Sequence, residues 1–292
     1  MIGPALADPV QLGRTMAGHP TIDLSIDDSG PFTFVFDTGA SHSAIALPVA
    51  RDLGFDGTIA ASDEVQALTT LFEAELFTLQ NVRVGSTPAR SFYSVVLPAD
   101  DGPLPVVGFL APGDINVDRY SVDFGTGELD LDAPALAHRD GILHSELGLL
   151  FGRARLGARS VEIDVMIDTG TPRSFVNTAL RRYLPHRTFS LTYRIAGVDN
   201  KDTTDGTPIR IRRLNMGGLC MSRVDVLYSE LDIFSALGWT DRPAMVVGMD
   251  ILNSAQLTVD QTTGHFELSA QTPSDGCDDR TQLEELPEIT LG

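Results

Sequence analysis

Short runs of alternating apolar and polar residues, closed by turn-forming residues, recur along the chain. Ile22, Leu24 and Ile26 alternate with polar positions, which is typical of a half-buried strand. Turn residues follow at 27–30, and a second apolar strand follows at 31–36. Helical periodicity is confined to three short candidates, at 47–53, 178–184 and 231–237. The pattern predicts an all-β protein with few short helices.

Each half of the chain also carries one longer predicted hairpin. The first joins residues 65–71 to 74–84, and the second joins 188–195 to 207–214. The predicted tips are Leu68, Thr69 and Thr70 in the first hairpin and Ala196, Gly197 and Val198 in the second. The order of strands, helix and long hairpin is therefore the same in both halves.

A repeated tripeptide strengthens this internal similarity. Asp37-Thr38-Gly39 ends one apolar run, and Asp168-Thr169-Gly170 ends another, 131 positions later. Several flanking stretches match as well: Ser43-Ala44-Ile45 with Ser174-Phe175-Val176, Val106-Val107-Gly108 with Val246-Val247-Gly248, and Val122-Asp123 with Val259-Asp260. We interpret these matches as an internal duplication. We predict an N-terminal lobe at 1–133, a C-terminal lobe at 134–271 and an acidic tail at 272–292.

The charge of the chain limits its partners. It carries 40 Asp and Glu against 21 Lys and Arg, a formal net charge of −19. Such a surface argues against nucleic acid or an anionic membrane as a partner, because phosphate groups need basic side chains. No stretch approaches the ~18 apolar residues of a membrane-spanning helix. Neither Cys-x-x-Cys nor a His pair at ligand spacing is present, so we expect no metal site.

The two cysteines, Cys220 and Cys277, either form one disulfide or remain as buried thiols. Near the start, Ala5-Leu6-Ala7 is similar to the small-residue end of a cleaved signal peptide. Together these features predict a periplasmic or secreted protein.

The repeated aspartates are the strongest candidates for chemistry. A carboxylate at the end of a buried strand is costly unless it is protonated or well hydrogen-bonded. Asp37 and Asp168, on equivalent loops of duplicated halves, can meet at a pseudo-twofold axis and share one proton. The ionised member then takes a proton from a water, and the protonated member donates to the carbonyl that the water attacks.

These motifs resemble those of retropepsin-like aspartic proteases, especially bacterial ones. The resemblance covers residues 19–270 and rests on the entry 30–41, on Ile167 to Thr171 and on Val246 to Leu252. It implies a bilobal, pepsin/retropepsin-like all-β fold with two pseudo-symmetric, barrel-like lobes. It also implies an aspartic endopeptidase that acts on protein or peptide substrates as a single-chain pseudo-dimer, a monomer without cofactor.

The resemblance further assigns roles to residues. Asp37 and Asp168 would be catalytic, and the long hairpins with tips at 68–70 and 196–198 would be flaps over a peptide-binding cleft. Residues that would support the active site are Thr38, Gly39, Ser41, Thr169, Gly170, Gly108 and Gly248.

The chain also departs from the family pattern. Ser41 matches a hydroxyl that hydrogen-bonds a catalytic carboxylate in the family, but its counterpart is Pro172, so we expect an asymmetric pair with Asp37 the better hydrogen-bonded. Pro112 is expected to remove a helix from the first lobe. A catalytically silent peptide-binding module on the same scaffold remains the alternative. Whether the acidic tail regulates activity stays open at this point.

Overall fold

The structure is a computed structural model, and most of it is β-strand. It describes residues 9–56, 62–97, 106–157, 160–184, 192–196, 203–271, 277–279 and 289–290. Gly197 and Val198, two of the residues predicted at the second hairpin tip, lie outside the described residues. Among the described residues, no helix has the length and apolarity that crossing a membrane requires.

In the first half of the chain the strands are β1 (Val10–Gln11), β2 (Gly13–Arg14), β3 (Pro20–Ile26), β4 (Ser29–Phe36), β5 (Ala44–Ala46), β6 (Ser62–Gln66), β7 (Leu71–Val84), β8 (Arg90–Leu97), β9 (Gly108–Leu110), β10 (Arg119–Asp123) and β11 (Glu128–Asp130). One α-helix, α1 (Leu47–Asp52), and one 3-10 turn, Pro112–Asp114, interrupt them. The helix begins with Pro48 in its first turn, where a missing N–H costs nothing.

The second half repeats this order with β12 (Gly141–Leu143), β13 (Leu150–Leu156), β14 (Val161–Ile167), β15 (Phe175–Val176), β16 (Tyr193–Ala196), β17 (Thr203–Met216), β18 (Leu219–Tyr228), β19 (Ala244–Val247), β20 (Ala255–Asp260), β21 (His265–Ala270), β22 (Asp278–Asp279) and β23 (Ile289–Thr290). Its helices are α2 (Thr178–Arg181), α3 (Asp232–Ala236) and α4 (Met249–Leu252).

Each half closes into a barrel of six strands. In the first, β3, β4, β9, β5, β8 and β7 are hydrogen-bonded in that order, and β3 also pairs with β7. In the second, β13, β14, β19, β15, β18 and β17 follow the same order, and β13 pairs with β17. Alternating side chains such as Ile22 and Leu24 point into the core and are almost fully buried. The predicted all-β fold with two barrel-like lobes is confirmed.

A shared sheet joins the two barrels. Antiparallel β10 and β20 lie side by side, with Val122 opposite Leu257, and each continues into its own hairpin partner, β11 or β21. The N-terminal strand β1 extends this sheet by pairing with β11. Strands from both halves therefore form one continuous hydrogen-bonded layer, which limits how far the barrels can move apart.

The tail returns to the second barrel at two places. Cys277 forms a disulfide with Cys220 on β18, and the adjoining β22 pairs with β18 in parallel. Strand β23 then pairs in parallel with β16, which belongs to the second long hairpin. The disulfide alternative for the two cysteines is thus the one that the structure contains.

One predicted element is displaced. The apolar run 106–108 was expected to be the strand beneath the first Asp-Thr-Gly loop, but β9 begins at Gly108 and runs to Leu110. Pro112 then begins a single 3-10 turn where the second half has the helix α4. The expected loss of a helix in the first lobe is therefore correct, because Pro112 is followed by one tight turn only.

Candidate active site

The two aspartates lie where β4 and β14 end, on loops that face each other. Both are buried, Asp37 with 3% and Asp168 with 2% of its surface exposed. The N–H of Asp37 donates to the Leu110 carbonyl at 2.9 Å, and that of Asp168 donates to the Val247 carbonyl at 3.0 Å. A parallel neighbouring strand, β9 or β19, thus holds each loop at the same point.

Thr38 and Thr169 connect the loops through four reciprocal hydrogen bonds. The Thr38 hydroxyl donates to the Ile167 carbonyl at 2.9 Å and accepts from the N–H of Thr169 at 3.1 Å. Symmetrically, the Thr169 hydroxyl donates to the Phe36 carbonyl at 2.6 Å and accepts from the N–H of Thr38 at 3.0 Å. These bonds are buried, so each hydroxyl satisfies two backbone groups of the loops.

Gly39 and Gly170 let the carboxylates approach the opposite loop. A Cβ atom at Gly39 would lie 2.4 Å from the Asp168 carboxyl carbon, and one at Gly170 would lie 2.4 Å from that of Asp37. Any side chain there would therefore displace the acid across the axis. Each glycine N–H also donates to the aspartate of its own loop, at 2.7 Å for Asp37 and 2.8 Å for Asp168.

Burial and mutual repulsion set the acidity of the pair. Burial raises the pKa of Asp37 to about 6, although hydrogen bonds from Gly39, Asp168, Gly170 and Ala40 oppose that rise. The pKa of Asp168 is raised well above its ordinary value, first by burial and then by the charge of Asp37. The pair therefore holds one shared proton near neutral pH, and Asp37 is the more readily ionised member.

Ser41 does not produce this difference. Its hydroxyl lies 3.1 Å from Nδ1 of His42, and among the described contacts it makes no hydrogen bond to Asp37. Ser41 and His42 are both exposed, whereas Pro172 and Arg173 at the equivalent positions of the second loop are buried. The asymmetry that we predicted from Ser41 therefore has a different source, the unequal hydrogen bonding of the carboxylates themselves.

The register of the strands corrects our assignment of Gly108. Val35 pairs with Phe109 in the first barrel as Met166 pairs with Val246 in the second, so Ala111 is the structural counterpart of Gly248. The Ser43 hydroxyl accepts from the N–H of Ala111 at 3.0 Å, as that of Ser174 accepts from the N–H of Gly248 at 2.9 Å. Gly108 instead allows β5 to approach β9, since a Cβ there would lie 2.0 Å from the Ala44 carbonyl oxygen.

This register reveals two partly buried Ser–Asp pairs beneath the loops. Ser43 donates to Asp114 at 2.7 Å, and Ser174 donates to Asp250 at 2.5 Å. Burial raises the pKa of both aspartates. For Asp250, the guanidinium of Arg173, 3.8 Å away, partly offsets that effect. Asp250 is thus a loop-fixing residue.

The sequence interpretation missed Asp114. The sequence comparison aligned 106–108 with 246–248, whereas the strand register aligns 109–111 with 246–248. The correct alignment places Asp114 near the position of Asp250. The recurrent Ser six positions after each catalytic-loop Asp was the available signal.

The first long hairpin crosses the cleft. Its turn is closed by a hydrogen bond from the Ala67 N–H to the Thr70 carbonyl at 2.8 Å. Leu68 is buried among apolar residues of the second half, and its carbonyl accepts from the N–H of Ile233 at 3.2 Å. The hydroxyl of Thr69 is buried without a hydrogen-bond partner among the described residues. Of the second predicted tip only the backbone of Ala196, at the end of β16, is described.

No group of three or more His, Cys, Asp or Glu side chains in the described part of the chain is arranged to hold a metal ion. The site consists of two carboxylates, backbone N–H groups and an adjoining apolar cavity. Such a set is suited to proton transfer and to the activation of water.

Comparison with known proteins bears on the first half of the chain. A family model described as Aspartyl protease matches residues 22–110, which include Asp37 and most of the first barrel. The match supports an aspartic protease family. It supports protease chemistry in general terms, with a peptide as substrate. No curated protein sequence matches the chain.

Proposed function

We propose that the protein is an aspartic endopeptidase in which Asp37 and Asp168 activate a water molecule against a peptide bond. The observation that carries this proposal is the meeting of two buried carboxylates, each packed against the glycine of the opposite loop. The four bonds of Thr38 and Thr169 favour the same function, because they hold the reacting groups in place before substrate arrives.

The roles of the two acids follow from their environments. Asp37, the more readily ionised, takes a proton from the water, whose oxygen forms a bond to the carbonyl carbon. Asp168, the more strongly protonated, donates its proton to the carbonyl oxygen. Collapse of the tetrahedral intermediate then breaks the C–N bond, the proton that Asp37 received passes to the leaving nitrogen, and a hydroxyl proton of the intermediate returns to Asp168 as the carbonyl re-forms.

The organisation of the chain is part of the same proposal. A lobe at 1–133 and a lobe at 134–271 each contribute one aspartate, so that one chain acts as a monomeric pseudo-dimer, followed by an acidic tail at 272–292. Gln66 to Thr70 would act as the flap over bound peptide, and the second hairpin, with its tip at 196–198, would be its counterpart. The Cys220–Cys277 disulfide favours an oxidising compartment such as the periplasm or the cell exterior.

The test uses the full chain with a mixed peptide library between pH 4 and 8. Asp37→Asn and Asp168→Asn are each expected to lower kcat/KM by about 1,000-fold, since each removes one proton-transfer group. Asp123→Asn is the matched control, because the Asp123 carboxylate accepts from the turn N–H groups of Gly125 and Thr126 and from the Gln271 amide, and makes no contact with Asp37 or Asp168 among the described hydrogen bonds. The wild-type profile should be bell-shaped, with its acidic limb near pH 6.

Cleavage that survives both substitutions would overturn the mechanism. Peptide binding without turnover at any of these pH values would instead indicate the alternative function, a silent peptide-binding module.

A further inference from the structure

The C-terminal tail is covalently attached to the second barrel by a disulfide with a cation beside it. Cys277 is bonded to Cys220, near the start of β18. Both cysteines are half-buried, so solvent has access to this pair of residues. The guanidinium of Arg213, on the neighbouring strand β17, donates to the Sγ atom of Cys220 at 3.6 Å. One of the two sulfur atoms therefore lies next to a positive charge.

This charge favours one route by which a dithiol can open the disulfide. The thiolate of the dithiol attacks Sγ of Cys277, the S–S bond breaks, and Cys220 leaves as a thiolate. The second thiol of the reductant then attacks the mixed disulfide and releases Cys277. The dithiol ends as a disulfide, and its two electrons and two protons pass to the two cysteines. Because a guanidinium stabilises the leaving thiolate, Arg213 makes the first step faster.

The strand that follows the disulfide, β22, lies beside further cations. It runs parallel to β18 and places Asp279 next to Ser222. Arg223 follows Ser222 in the chain, and Arg213 lies opposite it on β17. Both arginines are exposed, in a chain whose formal net charge is −19. This locally basic stretch of the barrel attracts the acidic tail.

The other strand of the tail, β23, covers the outer edge of the second long hairpin. Its residues Ile289 and Thr290 pair in parallel with Ile195 and Ala196 of β16, whose other edge pairs with β17. In the first long hairpin, by contrast, the outer strand β6 pairs with β7 alone within the described part of the chain. An uncovered strand edge is free to pair with another extended chain, and β23 prevents this on β16.

The strand that β23 covers is also packed towards the cleft. Ile195 has 0% of its surface exposed and belongs to the same apolar cluster as Leu68 of the first hairpin and Ile233 of α3. A strand that is hydrogen-bonded along both edges opens less readily than one that is bonded along a single edge. The pairing with β23 therefore restrains the second hairpin.

The two short strands of the tail depend on the disulfide. A strand of two residues makes few hydrogen bonds, and fixing the backbone of a residue costs at least as much free energy as one such bond returns. The disulfide supplies the missing constraint. We propose that the disulfide, β22 and β23 form a clasp that thiols release. While the disulfide is closed, β23 covers the edge of β16, and reduction of the disulfide by a dithiol uncovers that edge.

Hydrogen exchange measured by mass spectrometry tests the clasp on the full chain. After treatment with dithiothreitol, the backbone amides of residues 193–196 are expected to exchange about 10-fold faster than in the oxidised protein, because they lose hydrogen-bond partners. The amides of β3 and β4, in the first barrel, should keep their rates. Alkylation with iodoacetamide shows how much of the disulfide has opened in the same sample.

A truncation separates loss of the strand from loss of the disulfide. Deleting residues 289–292 removes β23 and leaves Cys277 in place. This variant should show the faster exchange of residues 193–196 while it is still oxidised, and dithiothreitol should add nothing further. Deleting residues 291–292 alone keeps both paired residues and is the matched control, which should behave as wild type. Because the truncated chain keeps its disulfide, the comparison holds even where reduction destabilises the second lobe.

Substitution of Arg213 tests the chemistry of release. Arg213→Met should slow the opening of the disulfide by dithiothreitol about 5-fold, since the Cys220 thiolate then leaves without a neighbouring cation. Arg212→Met, at the adjacent exposed arginine, is the matched control and should keep a rate close to wild type. Equal rates in the two variants would overturn the role of Arg213.

Three results of the exchange experiment would overturn the clasp. Equal exchange of residues 193–196 in the oxidised, reduced and truncated chains would mean that the tail does not protect β16. Faster exchange after truncation but not after reduction would exclude release by thiols. Faster exchange that extends to β3 and β4 would contradict a local release. The clasp does not depend on the proposed peptidase function, and none of these measurements uses peptide turnover, so each proposal can fail without the other.

Discussion

The two barrels share a backbone but not the side chains that face the cleft. Each presents an aspartate after a central strand, a threonine that reaches across the axis and a partly buried Ser–Asp pair below the loop. At equivalent positions, however, the first barrel has Ala44 and His42 where the second has Phe175 and Arg173. Ala44 lines an open cavity beside Asp37, whereas Phe175 is fully buried.

This contrast shows which interactions a duplicated scaffold has to keep. The shared residues hydrogen-bond backbone groups of the loops, so a change in either copy leaves a buried donor or acceptor unsatisfied. Among the described hydrogen bonds, none joins the side chain of a divergent residue to the backbone, so a new side chain there leaves the backbone network intact. The hydrogen bonds of the two loops are thus symmetrical, while the side chains beside the aspartates are not.

Removing the Cys220–Cys277 disulfide of the second lobe should produce the largest loss of stability. The chain has two cysteines, so only one lobe can contain an intramolecular disulfide. Cys220→Ser with Cys277→Ser should lower the free energy of unfolding by about 4 kcal/mol, because the disulfide spans 57 residues. Chemical denaturation with and without a reductant measures it. An unchanged midpoint in both experiments would mean that the disulfide contributes nothing to stability.

The acid pair should make stability depend on pH. The folded-state pKa of Asp37 is raised from 3.8 to about 6, so the folded protein keeps a proton that the unfolded chain releases. Stability therefore falls as pH rises through this window. Asp37→Asn should raise Tm relative to wild type by several degrees at pH 7.5 and by little at pH 4. A difference in Tm that is equal at both pH values would contradict the raised pKa.

Substitution of either threonine, Thr38 or Thr169, should lower stability by the same amount. Thr38→Ala and Thr169→Ala each leave a buried carbonyl and a buried N–H unpaired, so we expect each to cost about 2 kcal/mol of stability and to reduce kcat. Thr38→Ser and Thr169→Ser keep the hydroxyl and serve as controls. A large effect in one half alone would show that the network is not symmetrical.

Substitutions of the equivalent residues Arg173 and His42 should lower stability by unequal amounts, and these are the smallest changes that we expect. Arg173 is buried beside Asp250, so Arg173→Met is expected to cost about 1–2 kcal/mol at pH 7, since a buried carboxylate loses its nearest cation. The equivalent change His42→Ala, at an exposed residue, should stay within about 0.5 kcal/mol. Thermal denaturation of both variants and of Arg173→Lys makes the comparison. Equal losses of stability in Arg173→Met and His42→Ala would contradict the expected difference between these two positions.

Much of the fold was accessible from local pattern. Alternation at Ile22, Leu24 and Ile26 predicted a strand that the structure contains, and the repeat of Asp-Thr-Gly predicted two similar halves. The tip of the first hairpin was also placed correctly, at the turn that includes Leu68, but its strands are Ser62–Gln66 and Leu71–Val84 rather than 65–71 and 74–84. These predictions succeeded because each depends on residues close together in the chain.

The alignment of the supporting strands could not be predicted in the same way. Residues 106–108 have the same sequence as residues 246–248. The segment that hydrogen-bonds to β4, however, is Gly108–Leu110. Packing decided this, because Gly108 is needed where β5 approaches β9. Asp114 was missed for the same reason.

The sequence by itself therefore determined a duplicated all-β chain with one aspartate at the end of an apolar strand in each half. Only the tertiary structure decided that the two carboxylates pack against each other's loops, which requires strands far apart in sequence to meet at one axis. It also decided that Ala44 lines an open cavity beside Asp37 and that Phe175 is fully buried. The side chains around each residue come from strands that are far away in the chain, so the pattern around either position could not reveal this.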